Sequence, residues 1–314
     1  MGSAVTQGEH HVAVMAERAA ANQVAPPPFV RGKWRGWLPL LVLPPGVVLL
    51  FPPHGPRWAL MWVLAGSVFA GCKWLTWRQA HVAGVRGWRH AAYLTAWPGL
   101  DASAFLTRRS DLRPSGREWI AAALKTALGG TLIYLGSSWA FGDRPYLAGW
   151  MGMAGIVLSL HFGLFHLMSC AWRQMGVDAR PLMDSPLRSM SVSEFWSRRW
   201  NTAFRDLTHR FLFRPLTPYL GVRGAIIGGF VFSGLVHDLV ISLPAGGGYG
   251  GPTLFFALQA LAVLFERSEF GAGLGLGRGL PGRISTAMVV VLPLGFLFHA
   301  PFVERVVVPF LRAL

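Results

Sequence analysis

Long apolar runs separated by short basic gaps set the pattern of this chain. The runs fall at about 37–53, 58–77, 118–141, 148–172, 223–243, 252–266 and 284–303. Most approach or exceed the roughly 20 residues that a helix needs to cross a hydrocarbon core. The run at 252–266 is the shortest, and Pro44-Pro45 interrupts the first. This pattern predicts an all-α, polytopic membrane protein with about seven spanning helices, or nine if the stretch 78–106 conceals a pair. The mixed segment 78–117, rich in Arg and carrying an aromatic cluster at Tyr93–Trp97, is expected to be loop plus an interfacial or re-entrant piece. Residues 1–36 read as an N-terminal soluble tail with no signal peptide before it, and 37–314 as a single membrane domain.

Composition sharpens that picture. Hydrophobic residues make up 53% of the 314 positions and charged residues 14%, against about 25% charged in a soluble domain. The net charge of +15 is not a nucleic-acid signature, because Lys and Arg sit in the gaps between apolar runs. With seven spans, 24 of these cations fall on the side of the N-terminus and four (Arg57, Arg144, Arg305 and Arg312) on the other. Cytoplasmic loops carry such an excess, so the N-terminus is expected inside and the C-terminus outside. The preference for Arg over Lys, with abundant Ala and Gly, points to a bacterial cytoplasmic membrane. Cys72 and Cys170 both lie in apolar runs and suggest neither a disulfide framework nor a metal set.

Two segments stand out as candidate chemistry. The first is Phe232-Ser233-Gly234-Leu235-Val236-His237-Asp238. An ionisable residue inside a span is expensive and is a functional candidate by default. His237 lies roughly 20 Å from Arg223 along a helix, with Ser233 one turn earlier on the same face and Asp238 turned about 100° away. Gly228, Gly229 and Gly234 leave room for a neighbouring helix. The second is Phe195-Trp196-Ser197-Arg198-Arg199-Trp200-Asn201, where aromatics alternate with Arg as in a segment lying in the membrane interface. Taken singly, each also fits a bland role, a packing histidine and an interfacial anchor.

Together, in this order and spacing, the two blocks resemble the wax synthase-like branch of the membrane-bound O-acyltransferase family. They look like its F-W-x-R-R-W-N and F-x-x-S-G-x-x-H-[DE] motifs. Further similarity appears at Trp97-Pro98-Gly99-Leu100-Asp101, His161-Phe162-Gly163-Leu164-Phe165, Gly250-Gly251-Pro252-Thr253-Leu254 and His299-Ala300-Pro301-Phe302, so the likeness covers roughly 90–310. The resemblance implies transfer of an acyl group from acyl-CoA to a hydroxyl acceptor, with a long-chain alcohol giving a wax ester. It maps the catalytic histidine to His237 and a catalytic asparagine to Asn201. Imidazole suits the removal of a hydroxyl proton near pH 7, and Asn201 would orient it or donate to the developing oxyanion. Trp196, Arg198, Arg199, Trp200, Ser233 and Asp238 are expected around the substrates. The basic face, including Arg205, Arg210 and Arg214, suits the phosphates of coenzyme A and equally suits anionic membrane lipid. The reaction needs no resident cofactor and no metal.

Other features carry less. His161 and His166 are five apart rather than i, i+4, and packing is the simpler reading. Gly271–Gly282 follows a span rather than a strand and is expected to be a flexible loop, not a dinucleotide site. His299 reads as interfacial. Two alternatives remain open: acyl transfer to a terpenoid or polyketide hydroxyl, and a transporter with His237 in its path. Transporters are often built from internal repeats, and none is evident. Acyl chain length, acceptor identity and oligomeric state are not legible from the sequence.

Overall fold

The computed structural model describes residues 34–110 and 112–314. The tail expected over 1–36 therefore lies outside the described residues, except for its last three positions. Those positions open the first helix. Among the described residues the secondary structure is helical, apart from one isolated bridge between Arg109 and Val177.

Seven apolar helices follow the seven runs. They are α1 (Trp34–Leu50), α2 (Arg57–Ala80), α5 (Gly116–Trp139), α6 (Pro145–Gln174), α7 (Thr202–Ala245), α8 (Gly251–Glu266) and α9 (Gly279–Leu297). Five of them are long and apolar enough to cross a membrane; α1 and α8 are shorter. The segment 78–117 holds only α3 (Gly87–Ala96, 10 residues) and α4 (Ala102–Thr107, 6 residues). Both are far too short to form a hidden spanning pair.

Helix α7 is two helices joined at a kink. Gly221 has φ 65° and ψ 176°, a backbone geometry open to glycine and strained for other residues. The kink separates the basic, aromatic piece before it from the apolar span after it, close to the boundary that the apolar run at 223 suggests.

Small residues bring α5 and α6 together. A side-chain carbon added at Gly129 would lie 2.5 Å from the Ser159 nitrogen and 2.7 Å from the Gly155 oxygen. One at Gly155 would meet the Gly129 oxygen at 2.7 Å and the Ile133 nitrogen at 2.8 Å, and Gly136 faces Ala148 and Gly152 in the same way. Where lipid removes most of the hydrophobic drive between helices, such close backbone approach supplies the packing attraction.

The last apolar run, expected at about 284–303, divides: α9 ends at Leu297, and residues 300–312 form a further helix, interrupted by a π-turn at Val303–Val307. Val303, Val306 and Leu311 on it are fully buried, and Val303 and Leu311 pack over Gly149 and Gly152 of α6. Lys73, towards the end of the second apolar run, is buried within α2. Its Nζ donates to the Gly99 carbonyl at 2.8 Å and lies 3.2 Å from the Tyr93 ring centroid. A buried amine needs such partners, and it ties the Trp97–Asp101 segment to α2.

The α5–α6 seam yields a paired test. Gly129→Leu should force the helices apart, costing roughly 1–3 kcal/mol, seen as lower folded yield and melting temperature in detergent. Gly130→Leu, whose added carbon meets nothing within 4 Å, should behave as wild type. Equal effects at both positions would show that the seam is not where the two helices are joined.

Candidate active site

His237 closes the α-helical part of α7, about 24 Å beyond the Gly221 kink and about 12 Å before Ala245 at 1.5 Å per residue. Its Nδ1 lies 2.6 Å from the Ser233 carbonyl oxygen. A carbonyl can only accept, so Nδ1 carries the proton and Nε2 is left with its lone pair. The role of Ser233 here is played by its backbone. One face of the imidazole is covered by Phe256 of α8, at 4.6 Å between centroids and 45° between planes.

Immediately after His237 the helix widens into a π-turn, Asp238–Ser242; single π-turns within helices recur at functional sites. Asp238 points to α8. Its Oδ1 accepts from the Ser242 hydroxyl (2.8 Å) and the Gly250 N–H (2.8 Å), and its Oδ2 from the Thr253 N–H (3.1 Å) and hydroxyl. The carboxylate thus caps the N-terminus of a neighbouring helix, where a negative charge is favoured. One turn before His237, a carbon at Gly234 would meet the Thr253 Cα at 2.5 Å. Only glycine permits this approach of α7 to α8.

The other block reaches His237 through Trp196. The Trp196 ring packs on Phe230 (5.8 Å) and Phe256 (5.6 Å), and its indole N–H donates to Gln259 Oε1 at 3.1 Å. Gln259 is fully buried and donates in turn to the Val289 carbonyl of α9. Trp196, Phe256 and Gln259 therefore form one wall beside the imidazole. Trp200 stacks on Phe195 (5.4 Å, 15°) because Phe195–Arg199 is a π-turn, which brings residues five apart onto one face.

Asn201 caps the helical start of α7. Its φ is 43°, left-handed geometry that asparagine tolerates better than most residues, and its Oδ1 accepts from the Phe204 N–H at 3.3 Å. Among the described residues no hydrogen bond joins Asn201 to His237. The two arginines also differ. Arg199 is held by Glu194 (2.7 Å) and by the Asp184 carbonyl, whereas Arg198 is exposed. The Ser191 hydroxyl accepts from the Glu194 N–H and the Glu194 carboxylate accepts from the Met190 N–H, so both side chains cap this turn. The Met190 N–H above all, then the Arg199 guanidinium, holds the Glu194 carboxyl below the usual carboxylate range, against the opposing pull of burial.

Sequence reasoning did not find Phe256, Gln259, Ser242 or the placement of His299. His299 packs inside the protein, 8% exposed and within 3.1 Å of the Ser242 hydroxyl. The His-Ala-Pro-Phe similarity was the available signal. Elsewhere, Glu118, His166 and Cys170 bring ligand-type atoms within 4.8 Å of one another. The Arg173 guanidinium occupies that cluster, bonding Glu118 and reaching Cys170 Sγ at 3.6 Å. A cation already meets this carboxylate, and the group is a structural network.

Comparison with known proteins covers this same region. Residues 179–258, which contain both Asn201 and His237, match the model of the membrane bound O-acyl transferase family. This segment is similar to that of the membrane-bound O-acyltransferases. The chain is similar to the probable long-chain-alcohol O-fatty-acyltransferase 2 of Arabidopsis thaliana, at 35% identity over 74 residues, 21% of this chain and 22% of the relative. It is also similar to the long-chain-alcohol O-fatty-acyltransferase of Simmondsia chinensis, at 26% identity over 143 residues, 42% and 40% of the two chains. These matches span well under half the length of either relative.

The Glu194 cap has a pH signature. Because the folded carboxyl is more acidic than the unfolded one, its stabilisation is present above the ordinary carboxylate range. It is lost as pH falls through the lower folded value. Glu194→Gln should therefore lower the melting temperature at pH 7, by the equivalent of about 1 kcal/mol or less for this partly exposed pair. The gap to wild type should shrink on acidification towards pH 4 in parallel thermal scans. A gap that does not change with pH would mean that the charge contributes nothing.

Proposed function

We propose that this chain is an acyl-CoA-dependent O-acyltransferase that esterifies a lipophilic hydroxyl, a long-chain alcohol above all, with His237 as general base. The observation that carries the reading is the His237 Nδ1 bond to the Ser233 carbonyl, which leaves Nε2 as the basic nitrogen inside an aromatic wall. The names of the relatives favour a fatty alcohol as acceptor and a fatty acyl group as cargo.

Nε2 takes the hydroxyl proton as the alcohol oxygen bonds to the thioester carbon. The tetrahedral intermediate collapses, the carbon–sulfur bond breaks, and the departing thiolate takes the proton back from the imidazolium. Ester and free coenzyme A result, and no metal or redox partner enters. The Asn201 Oδ1 is engaged by Phe204, so what Asn201 has to offer an oxyanion is its Nδ2 donor pair. Of the two motif arginines, exposed Arg198 is the better candidate for a coenzyme A phosphate, since Arg199 already holds Glu194. The lipophilic groups pack against Trp196, Phe230 and Phe256, away from competing water. The charge asymmetry supports a cytoplasmic N-terminus, in a bacterial cytoplasmic membrane if the Arg-rich composition reports the source.

His237→Ala should fold with a near-normal melting temperature and lose at least about 10²-fold in turnover, measured with labelled acyl-CoA and a panel of fatty, terpenoid and polyketide alcohols. Retention of more than about a tenth of wild-type turnover by folded H237A protein would remove His237 from the role. Asn201→Asp keeps the capping oxygen and loses the amide donors. Its expected outcome is retained stability with turnover reduced about tenfold or more, as for loss of an oxyanion donor; undiminished turnover would assign Asn201 to capping alone. Topology has its own check: reporter fusions within 245–250 should read external and those within 180–190 cytoplasmic.

A further inference from the structure

We infer that His299 is a positioning residue for His237, acting through Ser242 and Asp238. The two histidines belong to different segments, 62 positions apart, and neither touches the other. What joins them is a directed chain of hydrogen bonds. The Phe302 N–H donates to His299 Nδ1 at 3.2 Å, so Nδ1 is unprotonated and the ring's proton sits on Nε2. That nitrogen is 3.1 Å from the Ser242 hydroxyl. The Ser242 hydroxyl accepts from it and donates its own proton to Asp238 Oδ1 at 2.8 Å. The Gly248 carbonyl is a second acceptor for the Ser242 proton at 3.4 Å, but Asp238 is nearer and charged, and with His299 donating to the Ser242 oxygen the hydroxyl is held towards the carboxylate.

The consequence reaches the reacting ring by two routes. Asp238 is adjacent to His237 in the chain, and its charge complements the positive charge that develops on the imidazole during proton transfer. Asp238 also holds the Gly250 and Thr253 N–H groups that open α8. Phe256, one turn further along, is the ring that covers the His237 face. A shift of Asp238 therefore displaces both the charge and the wall. The site is built for such fixity: Ser242 is fully buried, and the glycine loop 246–250 passes so close over the His299 ring that a side chain at Gly248 would overlap it. A histidine serving only to cap 300–312 would need Nδ1 alone. Its Nε2 would have no reason to meet a buried hydroxyl that is itself bonded to the carboxylate beside His237.

The inference rests on His237 as the base, and two substitutions separate positioning from capping. Asparagine mimics Nδ1 and keeps the cap on Phe302 but cannot reach Ser242. Glutamine extends an N–H donor to the Nε2 position and forgoes the cap. Positioning predicts that His299→Asn retains the wild-type melting temperature while kcat falls about tenfold with KM little changed. It also predicts that His299→Gln melts lower yet recovers most of the turnover that Asn loses. The opposite order, with Asn fully active and Gln impaired in step with its stability, would overturn it. Should either variant fail to fold, Ser242→Ala cuts the same chain with little change of volume; wild-type kcat in S242A would equally overturn the inference. A readout independent of turnover is the imidazole nitrogen spectrum of histidine-labelled protein, with His237 assigned by its loss in His237→Gln. The Nδ1–H tautomer of His237 should become mixed in H299N and stay single in H299Q. Wild-type protein that transfers no acyl group while showing this response would sink the acyltransferase reading and leave the positioning intact. An unchanged His237 signal in H299N from active protein would do the reverse.

Discussion

A carboxylate drawn partly out of water needs donors from the protein, since an unpaired one is costly to desolvate. Asp238 meets that constraint with four donors from three residues, all in the segment between Ser242 and Thr253. The turn between α7 and α8 is consequently folded around the carboxylate, and α8 is set at one register against α7. Once that register exists, Gly234 meets Thr253, Phe256 meets His237, and Gln259 meets Trp196. The candidate active site is thus a consequence of where one half-buried charge is satisfied. This also explains how α8, too short to count as a span by length, holds the wall of the site: its N-terminus is secured by a neighbour rather than by its own sequence.

The positions that the sequence made legible are those where chemistry and hydrophobic period agree. The seven apolar runs appear as seven helices because lipid and core make the same demand on every face, so run length alone suffices. The Gly221 kink lies near the start of the run at 223 because the basic residues before it could not follow the span into hydrocarbon. His237 stood out as a charge-capable residue in an apolar setting. The helix 300–312 was missed because its 13 residues are too few for a span and its apolar positions read as a continuation of the run before it.

The π-turns account for pairings that a helical period does not show. They occur at Leu158–Leu164, Phe195–Arg199, His209–Phe213, Asp238–Ser242 and Val303–Val307. A 3.6-residue period puts positions five apart about 140° from one another, and the wider turn puts them on one face. Phe195 and Trp200 could not be paired by helical reasoning, yet they stack. The same widening lets α7 carry His237 to the wall formed by Phe256 while directing Asp238 towards α8, two demands that a regular helix would meet less readily. Local propensity contains no marker for such a turn; partners elsewhere in the chain decide it.

The four cations expected on the sparse side of the membrane look at first like exceptions to the charge rule. Three of them have a structural reason to be there. Arg57 donates to the carbonyls of Pro244 and Ala245, Arg305 to those of Ala245 and Gly246, and Arg312 to that of Ala140. Every acceptor lies at the C-terminal end of α5 or α7, where carbonyls lack helical partners and the helix dipole is negative. These arginines satisfy backbone groups that lipid could not satisfy, and they gather the ends of α5 and α7, the start of α2 and helix 300–312 at one end of the bundle. Successive members of that group are separated by two apolar helices each, α2 and α5, α6 and α7, then α8 and α9, the even number that returns the chain to the same end, so the gathering agrees with the alternation independently of charge counting. It also fixes the floor beneath the His237 turn: Ala245 and Gly246, held by two guanidinium groups, are the anchor from which the Ser242–Thr253 loop reaches back to Asp238.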